Sequence, residues 1–142
     1  MTLGHPWSAL INSDKVMALH AEAIRRYTNR PLAVGLHAKD CVDGKLGNAW
    51  TSEDYRVDED AKPGICFSGF LLFYLVLGNC FPDGNKRAGW ASAMSVLASL
   101  GLTVKATDEE AVALVTSIAD GTVRNGLEVV HWIAARLYAP TE

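Results

Sequence analysis

The sequence predicts an all-α fold, a helical bundle built on a central antiparallel helix pair with a loop flap. Three observations predict it: apolar residues recur every three or four positions in several segments, two apolar segments flank a tight Asp83-Gly84 turn, and glycine-bearing or polar joints separate the segments. With 142 residues, 49% of them apolar, the chain has material for one core and reads as a single domain over residues 1–142.

Ser13 and Asp14 open the first helix, along which Val16, Leu19, His20, Ala23, Ile24 and Tyr27 repeat at helical spacing, and Asn29, Arg30 and Pro31 end it. From Gly35 to Lys62 the periodicity weakens. Asp43-Gly44, Gly47-Asn48 and the acidic run Asp58-Glu59-Asp60 predict short helical turns joined by exposed loops. Pro63 to Leu77 is apolar on nearly every side, as expected of a helix packed among several neighbours, with Gly78 as its stop. After the loop 79–84, the second central helix runs from Asn85 to Leu100, with Trp90, Met94, Leu97 and Ala98 inward and Gly101 ending it. Leu102 to Ala106 reads as a link. Thr107 and Glu110 have the spacing of a capping box for a helix to Asp120, stopped by Gly121. A closing helix over Gly126–Leu137 carries Val129, Val130, Ile133 and Leu137 as its apolar stripe.

Composition narrows the function classes. A formal charge of −3 argues against a general grip on nucleic acid or anionic lipid, which needs Lys and Arg clustered over a face. The apolar run Ile65–Leu77 falls short of the ~20 residues that span a bilayer, so neither nucleic acid nor membrane is expected as a partner. Residues 1–7 lack the basic and apolar regions of a secretory signal. Cys41, Cys66 and Cys80 are odd in number and form no C-x-x-C pair, which suggests reduced thiols and a cytoplasmic location. His5, His20, His37 and His131 are scattered; His20 and His131 lie on apolar helix faces, where histidine is usually a core or boundary residue. Trp90 and Trp132 read as core.

The chemistry is concentrated in Asn79-Cys-Phe-Pro-Asp-Gly-Asn-Lys-Arg-Ala, which places Asn85, Lys86 and Arg87 at a helix start. Such a terminus carries unpaired N–H groups and partial positive charge, so the Gly84 and Asn85 amides, with Lys86 and Arg87, suit phosphate oxygens. Two cations at a helix start are unfavourable without an anion. Asp83 would oppose bound phosphates unless a divalent cation lay between them, which makes its carboxylate a candidate Mg²⁺ ligand. Phe81 and Pro82 are expected to anchor the loop in the core.

Residues 81–87 resemble the Fic/Doc signature His-x-Phe-x-Asp-Gly/Ala-Asn-Lys/Gly-Arg, and only the first position, Asn79, departs from it. A weaker resemblance covers the leading helix with Leu19-His20, the Gly-rich region 35–50, the apolar helix and the closing helices. It implies a helical bundle whose loop holds a nucleotide, ATP or another NTP, with Mg²⁺ while a target hydroxyl attacks. Lys86, where most Fic proteins have glycine, resembles the Doc subclass, toxins paired with an antitoxin of the Phd type that transfer the γ-phosphate to elongation factor Tu; glycine there accompanies AMP transfer. By this resemblance Asp83 binds Mg²⁺, Asn85, Lys86 and Arg87 hold phosphates beside the Gly84 amide, and Asn79 stands at the general base's place, which makes Asn79, Asp83 and Lys86 the candidate catalytic residues. The further asparagine that Doc proteins can carry on the motif helix has no match near Ala91. The region 35–60 matches either a flap that docks the target by adding a strand or a surface loop.

An amide is no useful base, and loss of one positioned base costs typically ~10²–10⁴-fold in rate while leaving phosphate binding intact. Binding retained and transfer crippled is therefore expected. Three accounts of Asn79 stay open: a natural pseudoenzyme that binds nucleotide or a partner chain, a change made so that a toxic protein can be expressed, or a phosphoryl transfer that relies on positioning and charge alone.

Overall fold

The structure is a computed structural model that describes residue 8, residues 11–55 and residues 64–140. Its elements are α1 (Ser13–Tyr27), α2 (Ala38–Asp54), α3 (Ile65–Gly78), α4 (Asn85–Ser99), β1 (Thr103–Val104), α5 (Asp108–Ala119), α6 (Gly126–Ala134) and β2 (Leu137–Tyr138). The fold is mostly helical, as expected from the sequence. The acidic run 58–60, Pro63 and His5 lie outside the described residues.

α3 is the axis. Phe67, Leu71 and Leu75 enter one apolar cluster with Val42 and Leu46 of α2, while Leu72, Phe73 and Val76 enter a second with Leu97, Ile118, Val129 and Ile133. An all-round apolar sequence is thus used on both sides, which is why no amphipathic stripe marks it. α3 packs most extensively against α4 and then against α2 and α6. Gly69 permits the α6 contact, since a Cβ there would lie 2.5 Å from a Val130 methyl. The start of α3 is held by Glu53 of α2, whose Oε1 accepts the Gly64 and Phe67 N–H groups at 2.6 and 3.0 Å.

Several expectations need correction. Residues 38–54 form one 17-residue helix rather than short turns, because Ala38, Val42, Leu46 and Ala49 make a narrow buried stripe that outweighs Gly44 and Gly47. A strand-adding flap therefore finds no place over those residues. Leu102–Ala106 is more than a link: Thr103 and Val104 pair antiparallel with Tyr138 and Leu137, so the last helix stops at Ala134 and Leu137 belongs to a strand. Ala98 is exposed, as is His131. Gly78 remains helical, and Asn79 takes the left-handed position, with φ 49°. Cys41 and Cys80 form a disulfide joining α2 to the loop after α3, against the expectation of three reduced thiols; Cys66 is buried and outside it. The Thr107–Glu110 capping box is present, with both bonds at 3.1 Å.

No helix among the described residues is long and apolar enough to cross a membrane.

Candidate functional site

The α3–α4 turn is held at several of its residues. Asn79 leaves α3 in the left-handed conformation that asparagine tolerates best among non-glycine residues, and its side chain is exposed. Cys80 is tied to α2 by the disulfide. Phe81 is buried, its ring stacked on His20 of α1 with centroids 3.6 Å apart and planes 6° from parallel, whereas Pro82 is exposed and anchors nothing.

Asn85 closes the turn with its side chain. Its Oδ1 accepts the Phe81 N–H at 3.1 Å and its Nδ2 donates to the Phe81 carbonyl at 2.8 Å, which leaves its backbone N–H and the second Nδ2 hydrogen for a ligand. Gly84 has φ 83°, a conformation that favours glycine, and a Cβ there would meet the Ile24 Cδ1 at 2.9 Å, so that methyl would have to shift. Among the described residues no side chain caps α4 at Gly84, in contrast to α1, α5 and α6, capped by Asn12, Thr107 and Asn125.

An anion already sits in the turn. The Asp83 Oδ1 accepts the Gly84 N–H at 2.9 Å, and its Oδ2 lies 2.6 Å from Nη1 of Arg30, which follows α1. A backbone N–H and a guanidinium thus converge on one carboxylate, the pairing that an oxyanion of a ligand would use.

Lys86 and Arg87 are exposed and have no ion pair among the described residues. They line a groove of about 620 Å³ between α1, α4 and α5, together with Arg26, Tyr27 and Trp90. The Arg87 guanidinium lies over the Tyr27 ring, 4.2 Å from its centroid, and that of Arg26 at 5.6 Å. The groove's acidic residues are Glu22 and Asp108. Glu22 is committed to Arg25 at 2.6 Å, a hydrogen bond that holds its carboxyl below the ordinary range. Asp120, held low by its hydrogen bonds to Thr122 and less by nearby Lys86, adds negative charge at the far end of α5.

The structure therefore brings Asp83, Gly84 and Asn85 together at the turn and carries Lys86 and Arg87 onto the groove side of α4. Three contributors were missed in the sequence. Arg30 and Asp83 are 53 positions apart and nothing local pairs them. Tyr27 stood out only as part of a helix stripe. His20 reads as an ordinary core residue, yet its Nε2 lies 2.7 Å from the Asp83 carbonyl oxygen.

A Mg²⁺ ion suits this donor set. Magnesium takes one or two carboxylates alongside phosphate oxygens and waters, and Asp83 is the turn's one carboxylate. No group of three or more His, Cys, Asp or Glu with metal-holding geometry occurs among the described residues. Asp83 would exchange Arg30 for the cation.

No protein-family model matches this chain, and no curated protein matches it significantly in sequence.

Proposed function

We propose that the chain is a Doc-like protein of the Fic/Doc type that binds a nucleoside triphosphate at the α3–α4 turn and is built for phosphoryl transfer to a protein hydroxyl. The observation that carries the proposal is the Asp83 carboxylate held between the Gly84 N–H and Arg30, at the start of a helix whose cap residue is a glycine and whose two cations, Lys86 and Arg87, have no ion pair among the described residues. The agreement of Phe81–Arg87 with the family signature supports the same assignment.

In this assignment the first-turn amides of α4 and the cations Lys86 and Arg87 bind the phosphates, and Asp83 holds Mg²⁺. When bound, that ion would neutralise phosphate charge. The target hydroxyl oxygen bonds to the γ-phosphorus, the bond from that phosphorus to the β–γ bridging oxygen breaks, and a nucleoside diphosphate leaves. With no acceptor at Asn79, the hydroxyl proton passes to solvent water, so transfer is slow by the ~10²–10⁴-fold that a missing base costs. Asn79 is also what favours a second assignment, a pseudoenzyme acting by occupancy; AMP transfer ranks below both because Lys86 fills the place of glycine. Elongation factor Tu as target, a Phd-type antitoxin as partner and a cytoplasmic location rest on the resemblance alone. In cytoplasm the Cys41–Cys80 bond would be open to reduction.

Isothermal titration of ATP with Mg²⁺ against the protein and against Arg87→Ala tests the proposal. Binding that Arg87→Ala removes is expected. No binding to either protein sinks the nucleotide assignment and moves a partner-binding role ahead of it.

A further inference from the structure

We propose that His20 is a positioning residue: it fixes the orientation of the Asp83–Gly84 peptide and so aims the Gly84 N–H out of the core toward an oxyanion. A carbonyl oxygen only accepts, so the 2.7 Å contact requires a proton on Nε2 of His20, and in the neutral ring Nδ1 is then bare. Nδ1 is buried with no hydrogen-bond partner among the described residues, which leaves the tautomer to be chosen by Asp83 alone. The ring cannot turn freely, because it is fully buried and stacked on Phe81.

Peptide geometry carries the consequence. The unit is planar and trans, so its C=O and N–H point in opposite directions. With the Asp83 carbonyl drawn inward by His20, the Gly84 N–H faces away from the core, where it now meets the Asp83 carboxylate at 2.9 Å. Were the peptide flipped, the carbonyl oxygen would face the site and repel an anion. A tight turn through a glycine with φ 83° is where such a flip costs least, so a buried donor on the carbonyl decides the polarity. That the oxyanion belongs to a nucleotide phosphate rests on the function proposed above; the peptide orientation does not.

Two substitutions separate the hydrogen bond from the packing. His20→Gln retains an N–H donor near the position of Nε2 and loses the stacked ring; His20→Phe retains a flat ring against Phe81 and loses the donor. In the ligand-free protein, imidazole ¹⁵N shifts should report the Nε2–H tautomer. The Gly84 amide resonance should move and exchange faster in His20→Phe while His20→Gln keeps it. In titration with ATP and Mg²⁺, His20→Phe should weaken binding on the order of tenfold or more, as expected for one hydrogen bond to a charged group, and His20→Gln should stay close to wild type. An Nδ1–H tautomer, or a Gly84 amide unaltered in His20→Phe, overturns the proposal. Equal loss of affinity in both variants, tracking their melting temperatures, reduces His20 to packing and overturns it too. If the wild-type protein binds no ATP, the nucleotide assignment falls and the tautomer and Gly84 amide decide the orientation by themselves.

Discussion

Arg30 and Asp83, 53 residues apart, are joined by a 2.6 Å contact between guanidinium and carboxylate, and both side chains are substantially exposed. An arginine thus occupies the carboxylate oxygen that a cation would need. Exposed pairs of this kind are worth ~0.2–1 kcal/mol, so Arg30 is a weak competitor and no barrier to a metal. Arg30→Ala should lower the Mg²⁺ concentration that half-saturates ATP binding, by up to about fivefold. Titrating Mg²⁺ at fixed ATP measures it. A fall in affinity for ATP itself would mean instead that Arg30 moves onto the phosphate.

The Tyr27 ring holds the Arg87 guanidinium at 4.2 Å on the wall of the groove. At an exposed site such a contact contributes about 0.5–1 kcal/mol, and losing it frees a side chain that must be ordered again on binding. Tyr27→Ala should weaken ATP binding about two- to fivefold, while Tyr27→Phe, which keeps the ring, should not. Equal losses in both variants would assign the effect to the phenol hydroxyl.

Asn79 occupies a backbone position suited to it, with φ 49°. Histidine is also enriched in this region among non-glycine residues, so Asn79→His should fold normally. If the turn binds nucleotide and the target surface is intact, the variant should raise phosphoryl transfer by about 10²–10⁴-fold. Radiolabel transfer from γ-labelled ATP to elongation factor Tu reads it directly. Unchanged, absent transfer in a variant that binds ATP would favour the pseudoenzyme.

Why the turn was readable and its supports were not follows from distance along the chain. The residues of the turn are contiguous, so their types and order display the candidate anion site and the resemblance to a signature together. The capping box of α5 is equally local, four residues with two bonds. α2 was missed although Ala38, Val42, Leu46 and Ala49 do follow helical spacing, because two of the four are alanines and two glycines dilute the stripe. The two-residue ladder of Thr103–Val104 with Leu137–Tyr138 depends on where α6 leaves the chain, which no local pattern records. His20, Arg30 and Cys41 act on the turn from 63, 53 and 39 positions away. Each residue type has a bland use at its own place in the sequence, and only the folded chain reveals the other.

The start of α5 makes stability depend on pH. Hydrogen bonds from Thr107, the backbone N–H foremost, hold the Glu110 carboxyl below its ordinary value. A carboxyl depressed in the folded state contributes stability that is present above its unfolded value of about 4.3 and is lost as pH falls through the folded value. Thermal melts should therefore show wild type losing more stability than Glu110→Gln as the pH drops from neutrality to below about 4. Parallel losses would show that the carboxylate charge is not used in the cap.

The Cys41–Cys80 disulfide closes a separation of 39 residues, for which chain-entropy reasoning gives up to about 4 kcal/mol of stabilisation. Its position matters as much as its magnitude, because Cys80 lies between Asn79 and Phe81 in the turn itself. Reduction by a dithiol would convert the bond to two thiols and leave the turn held by His20, Arg30 and the Asn85 side chain. Those contacts act at Phe81 and Asp83, so the Asp83–Gly84 half should persist while the Asn79 end loosens. Cys41→Ser and reduced wild type should show the same lowered melting temperature, and Cys66→Ser, outside the bond, should keep the sensitivity to reductant. Hydrogen exchange should speed up at Cys80 more than at Gly84 in the reduced protein. Exchange raised equally along residues 79–85 would mean that the disulfide, rather than the contacts from α1, holds the whole turn.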